Sequence, residues 1–263
     1  MPATITAYDW IAHHNAHRAS RQAIVDLDSG RTLSYGDLHH RIDALAAHLQ
    51  SVGVKKGDRV ALLAHNGPEY FDVQFAGQRI GSIAVLLNWR LTVSELEFIV
   101  GDCSPSVLIY SPEFAETANE IAARCGVETL IPIDDDYEAI VGSGAQPETC
   151  LVEHDDPSTI MYTSGTTGHP KGAIITHGMT FWNCVNLGIP ALITPNTVQL
   201  VVLPLFHTGG LNCYANPVLH AGGRIVIART FDPGEALRII GDPSYEVTHF
   251  FAVPAPYQFM MQH

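Results

Sequence analysis

Tyr162-Thr163-Ser164-Gly165-Thr166-Thr167-Gly168-His169-Pro170-Lys171-Gly172 lies between two apolar, β-prone runs, Thr159–Thr163 and Ala173–Thr176. Gly165, Gly168 and Gly172 let the backbone turn and approach an anion without a Cβ clash. Successive amide N–H groups in such a loop form an anion-binding concavity. The hydroxyls of Thr163, Ser164, Thr166 and Thr167 add donors and can ligate a cation, and Lys171 adds a compact positive charge. The ensemble suits a triphosphate. It is not a Walker A loop, in which Gly-x-x-x-x-Gly-Lys-Ser/Thr leads into a helix. Here Lys171 is followed by Gly172 and the strand-like Ala173-Ile174-Ile175-Thr176.

Upstream of this loop, apolar runs alternate with helix-period segments. Ala23–Leu27 and Thr32–Leu33 flank Asp28-Ser29-Gly30 as a short hairpin. A helix starts after Ser34 with Leu38, Ile42, Leu45, Ala46 and Leu49 on one face, and Gly53 ends it. Strands are predicted over Arg59–Ala64, Ile83–Leu87, Ser106–Tyr110 and Thr129–Ile133, with helices over Glu69–Ile80, from Thr92 to about Val100, and over Glu113–Cys125. Thr92-Val93-Ser94-Glu95 reads as a capping box. Acidic Asp134–Asp156 reads as a connector, and its Asp134–Asp136 run as solvated loop rather than metal site. Downstream, His177–Leu187, Leu211–His220 and Pro233–Ile240 read as helices, and Val198–Leu203, Arg224–Ala228 and Val247–Val253 as buried strands. The order predicts an α/β layered fold with mainly parallel sheets flanked by helices. The expected organisation is lobe one over about 1–150 and lobe two, carrying the loop, over about 151–263.

Charge narrows the partners. Lys+Arg total 14 against Asp+Glu 27, a formal net charge of -13. That excess argues against nucleic acid, whose binding rests on neutralising phosphates. It leaves a nucleotide open, which needs only a local electropositive pocket. The five cysteines are odd in number, widely spaced and free of CxxC pairs, which fits a reduced, cytoplasmic compartment. No apolar run reaches transmembrane length. His13 and His17 are four apart on a predicted helix but lack a third ligand nearby.

The loop resembles the signature of the adenylate-forming superfamily, which holds acyl-CoA synthetases, luciferases and peptide-synthetase adenylation domains. It matches Thr-Ser-Gly-Thr-Thr-Gly-x-Pro-Lys-Gly throughout, with His169 at the variable place. The likeness continues in Ser34-Tyr35-Gly36-Asp37-Leu38, Gly57-Asp58-Arg59-Val60-Ala61, Leu87-Asn88-Trp89-Arg90-Leu91-Thr92 and Pro204-Leu205-Phe206-His207-Thr208-Gly209-Gly210. It covers essentially residues 1–263, as part of an N-terminal AMP-binding domain, and the last two segments lean toward the acyl-CoA ligase branch.

The resemblance implies that a carboxylate attacks the α-phosphate of ATP with Mg²⁺ present. An acyl-adenylate and pyrophosphate form, and the thiol of coenzyme A then displaces AMP. It assigns Thr163, Ser164, Gly165, Thr166, Thr167, Gly168 and Lys171 to the phosphates, Thr163 or Thr166 to the metal, and His207 with Lys171 to catalysis. His207 would lie against the substrate carboxyl or stack near the nucleotide; its bland reading is a surface or core histidine. Trp182, Asn183, Val185, Asn186, Leu211, Asn212 and Tyr214 fall in segments that line the acyl pocket of relatives, with core packing the competing reading.

The expected substrate is a small-molecule carboxylate, fatty, aromatic or other, with a medium or long acyl chain preferred. The family's adenine loop, Tyr-Gly-x-Thr-Glu segment, ribose-binding Asp, hinge and C-terminal domain with its catalytic Lys have no counterpart in this sequence. Lys55 and Lys56 precede a first-lobe strand and do not replace that Lys. The chain by itself is therefore expected to be weakly active or inactive. Exposed sheet edges and apolar surface would favour a homodimer or a C-terminal portion as partner. The alternatives are a non-catalytic nucleotide-binding or vestigial fragment of such an enzyme, a peptide-synthetase-type adenylation domain and a luciferase-like oxidase.

Overall fold

A computed structural model describes residues 4–163 and 170–263. In chain order the elements are α1 (Trp10–Arg18), β1 (Gln22–Asp26), β2 (Thr32–Ser34), α2 (Tyr35–Ser51), β3 (Arg59–Leu63), α3 (Glu69–Ile80), β4 (Ile83–Leu86), α4 (Val93–Cys103), β5 (Val107–Tyr110), α5 (Ala115–Cys125), β6 (Thr129–Pro132), α6 (Asp135–Val141), β7 (Pro157–Thr163), β8 (Lys171–Thr176), α7 (His177–Gly188), β9 (Val198–Val201), α8 (Thr208–Gly210), α9 (Asn216–Ala221), β10 (Arg224–Ile227), α10 (Pro233–Gly241), β11 (His249–Phe250) and α11 (Pro254–Gln262). The chain forms two compact units. The first comprises Met1–Tyr8, His40–Ala64 and Glu69–Met179, and the second Asp9–His39, His65–Pro68 and Thr180–His263.

The first unit is built on a six-stranded sheet of order β6-β5-β3-β4-β7-β8. Neighbours are parallel except for the antiparallel pair β7–β8. β3, β4 and β5 read as continuous apolar runs because both their faces are covered, as parallel sheets require. A core of Ala61, Leu63, Val85, Leu108, Leu96, Ile99, Ile121 and Ala122 joins this sheet to α4 and α5. The capping box of α4 is formed, with Thr92 and Glu95 bonded reciprocally. α3 is buried along its whole length. Its Asp72 faces Arg41 of α2 at 2.7 Å, and Arg41 also reaches Glu138 of α6 while the Tyr137 hydroxyl donates to Asp72.

In the second unit the sheet order is β11-β9-β10-β1-β2. β1 and β2 form the predicted hairpin, and the other neighbours run parallel. α2 follows Ser34 and has only its first turn, to His39, in this unit; the Ser34 backbone N–H and hydroxyl both donate to Asp37 while the Asp37 N–H donates back to the Ser34 hydroxyl. Leu38, Ile42, Leu45, Ala46 and Leu49 of that helix are all fully buried, as the periodicity predicts.

The structure departs from the sequence expectations in three places. The acidic connector contains α6: the Asp134 carboxylate accepts from the N–H groups of Asp136 and Tyr137, making the run a capped helix start whose first-turn acids suit the dipole. The strand expected over Val247–Val253 shrinks to His249–Phe250. There the Thr248 hydroxyl takes the Val198 N–H, and Pro254 opens α11. The helix expected over Leu211–His220 begins earlier and is interrupted by a π-helical segment, Leu211–Ala215.

Candidate functional site

The glycine-rich segment is carried by the β7–β8 hairpin of the first unit. The ladder runs from Pro157↔Thr176 to Thr163↔Lys171, so these last two residues stand opposite each other at the mouth of the loop. Ser164, Gly165, Thr166, Thr167 and Gly168 lie outside the described residues. Thr163 and Lys171 are both exposed, leaving a hydroxyl and an ammonium available to one anion.

Three anchors hold the hairpin. β7 is paired on its inner side with β4 through Ala84↔Thr159 and Val85↔Ile160. The hydroxyl of Tyr162, next to Thr163, donates to the Asp102 carboxylate at 2.5 Å, and burial together with that carboxylate keeps the phenol protonated. A Cβ on Gly172 would stand 2.8 Å from Ile160 Cγ2 and 3.1 Å from Tyr162 Cζ, so only glycine lets β8 lie this close.

At the far end of the hairpin, β8 runs into buried His177, whose N–H donates to the Asp156 carbonyl. Lys56 pairs with the Asp156 carboxylate at 2.6 Å and also donates to the Leu151 carbonyl. Burial lowers the His177 pKa to about 4. Its Nε2 has no hydrogen-bond partner among the described residues.

His207 belongs to the second unit. It caps the turn Thr208–Gly210, its Nδ1 accepting the Gly209 N–H at 3.1 Å. In the neutral ring that bond places the proton on Nε2, which becomes a donor on an exposed side chain. A Cβ on Gly210 would meet the Pro204 carbonyl oxygen at 2.2 Å, so the tight fold of Pro204–Gly210 requires glycine there.

Buried Asn66 stands behind this turn. Its amide donates to the carbonyls of Leu203 at 3.0 Å and Ala228 at 3.2 Å, and its oxygen accepts the Leu205 N–H at 2.8 Å. One side chain thus ties together the segments that follow β9 and β10 and fixes the stretch leading to His207. Beyond the turn, Asn183 donates to the Asn212 carbonyl at 2.6 Å, and Asn216 donates to the Asn212 side chain across the π segment. Leu211 is fully buried and Asn212 nearly so, whereas Trp182 is 51% exposed and Tyr214 stacks on Phe251. The segments the resemblance gives to an acyl pocket are therefore divided between core and surface.

Asn66, Asp102, Asp156 and His177 were not singled out from sequence. Their roles depend on partners distant in the chain, and isolated polar residues carry no periodic signal. No group of three or more His, Cys, Asp or Glu that could hold a metal ion is found among the described residues. None of the described helices is long and apolar enough to cross a membrane.

The family model described as AMP-binding enzyme matches residues 11–263. The chain is 38% identical over 246 residues to a feruloyl-CoA synthase of Amycolatopsis sp, covering 94% of this chain and 48% of that protein. It is 34% identical over 262 residues to an indoleacetate–CoA ligase of Aromatoleum aromaticum, covering 96% and 50%. The ATP-bound crystal structure of MatB from Rhodopseudomonas palustris superposes with a TM-score of 0.86 at 28% identity, over 98% of this chain and 52% of that one. The chain spans about half the length of the curated relatives it matches.

Proposed function

Because the chain belongs to the AMP-binding enzyme family, we propose that it supplies the phosphate-handling part of an AMP-forming acid–thiol ligase. The carboxylate attacks the α-phosphorus of ATP, the bond to pyrophosphate breaks, and an acyl-adenylate forms. The sulfur of coenzyme A then attacks the acyl carbon, and AMP leaves. The observation carrying this reading is the hairpin register that sets Thr163 opposite Lys171 on either side of the glycine-rich segment.

In this reading Lys171 balances charge that builds on departing pyrophosphate, and the Thr163 hydroxyl donates to the same oxygens. A rigid hairpin holds both groups in place before reaction, so little reorganisation is needed when charge develops. Ser164, Gly165, Thr166, Thr167 and Gly168 join the set by resemblance. The donor set fits Mg²⁺ in its ordinary manner, with few protein ligands and most positions filled by phosphate oxygen and water. Thr163 would hold it, or Thr166 in its place, and bound Mg²⁺ would neutralise charge on the leaving phosphates. His207 presents Nε2–H as a hydrogen-bond donor to an oxygen of the activated carboxyl.

The substrate proposed is an aromatic carboxylate. Support comes from the feruloyl-CoA and indoleacetate–CoA relatives, at 38% and 34% identity. A fatty acid is the second reading, favoured by a fatty acid–[acyl-carrier-protein] ligase of Streptomyces coeruleorubidus at 30% identity. Calorimetric titration of MgATP into the chain tests the loop assignment. Lys171→Ala should weaken binding about tenfold, the scale of a lost charge-assisted phosphate contact. Because Lys171 is exposed, thermal stability should hold. Equal MgATP affinity in the two proteins would remove Lys171 from the proposed site. Ferulate, indoleacetate and octanoate compared in ATP–pyrophosphate exchange by the intact protein then separate the two substrate classes.

A further inference from the structure

The second unit has a cavity of about 420 Å³ at the edge where its parallel strands begin, the opposite end of β9 from the Pro204–Gly210 turn. Its lining includes Arg21, Gln22, Asn196, Arg224, Glu246 and Thr248. In a chain with a formal net charge of -13, two guanidinium groups facing one hollow against a single carboxylate make a local reversal of sign. A third guanidinium stands near the same edge: Arg18 Nη1 would lie 3.0 Å from a Cβ on Gly222, two residues before Arg224.

Arg224 is held firmly. Its guanidinium donates to the Gln22 side chain, the Tyr245 carbonyl at 2.6 Å and Glu246 at 3.2 Å, and its side chain is only 16% exposed. Yet its Nε is buried with no hydrogen-bond partner among the described residues. A buried donor left unmet carries a desolvation penalty. Arg21 is oriented from the other side by the Pro195 carbonyl and the Asn196 side chain. Glu246 is 74% exposed and contacts Arg224 from the solvent side. Forked, planar donors positioned by the fold suit the oxygens of a tetrahedral anion.

We propose that the Arg21–Arg224 cavity is a binding site for a small phosphate-type oxyanion, separate from the glycine-rich loop. The inference does not depend on the ligase reading, because it uses no residue of that loop and none of the Pro204–Gly210 turn.

Inorganic phosphate titrated into the whole 263-residue chain tests it, read by backbone amide shifts and by thermal melting. Saturable shifts should centre on Asn196, Thr197 and Thr248, with a rise in melting temperature. Arg224→Gln should weaken binding about tenfold. Because Arg224 also supports the fold, Arg21→Gln provides a second variant, with the same direction of effect. Glu246→Gln removes the competing carboxylate and should tighten phosphate about threefold. Lys171→Ala should leave these shifts in place. A parallel titration with AMP identifies the source: matching shifts in the same amides mean a phosphate carried by a nucleotide, and shifts with phosphate alone mean the free ion. Shifts that centre on β7 and β8 and vanish in Lys171→Ala would overturn the proposal. So would phosphate affinity unchanged in both Arg21→Gln and Glu246→Gln.

Discussion

Acidification should weaken the fold through His177. This side chain is buried at the start of α7, and its pKa falls from 6.5 to about 4 because the charged ring is desolvated. The Asp156 charge opposes that fall, while His154 and Lys56 reinforce it. In the unfolded chain the ring protonates near 6.5; in the fold it stays neutral until much lower pH. The unfolded state therefore binds more protons between these values, and stability drops as pH falls. A fall from 6.5 to about 4, at about 1.36 kcal/mol per pH unit, corresponds to ~3 kcal/mol in full. By the same linkage, ~2 kcal/mol is already lost between about pH 7.5 and about pH 5.

The assay is urea unfolding of the wild type and His177→Gln across that range. His14, His48 and His220 are also lowered by burial and slope in the same direction, so the wild type loses more than the His177 share alone. The informative quantity is the difference between the two proteins. His177→Gln should lose ~2 kcal/mol less than the wild type over the range. Parallel curves would refute the desolvation argument, as would a His177 ring proton resonance titrating near 6.5 in the folded protein.

Gly172→Ala should destabilise by about 1–3 kcal/mol in urea unfolding, since the new methyl meets Ile160 and Tyr162. It should also weaken MgATP binding by displacing β8. Asn66→Ala should cost about 2–4 kcal/mol, because it leaves the Leu203 and Ala228 carbonyls and the Leu205 N–H unmet. Amide hydrogen exchange at Leu205 should rise with it. Asp72→Ala leaves Arg41 buried against Glu138 alone and should cost about 3–5 kcal/mol, read by thermal or urea unfolding.

Much of the chain was legible because its signals are local. The burial of Leu38, Ile42, Leu45, Ala46 and Leu49 follows from helical spacing, and the Thr92–Glu95 box from a four-residue pattern. The α6 helix shows a signal misread: Asp134 was counted among charges, whereas its carboxylate is a cap and Tyr137 three residues on is fully buried. The run Val247–Val253 shows the opposite error. Apolar content alone does not distinguish a buried strand from irregular chain: only Ala252 of the run is buried, and the hydroxyl of Thr248 replaces a ladder bond there.

Sequence alone determined the two strands flanking the glycine-rich segment and the α/β order of elements, because each is written in neighbouring residues. Tertiary structure decided which strands share a sheet. Gln22–Asp26 pairs with Arg224–Ile227, about two hundred residues away, and so joins the sheet that follows the loop rather than the one before it. It also decided that Asn66 fastens the turn before His207 and that Arg21 and Arg224 line one cavity. Pairing of parallel strands and satisfaction of buried polar groups depend on partners brought together only by packing, and the spacing of residues along the chain carries no record of them.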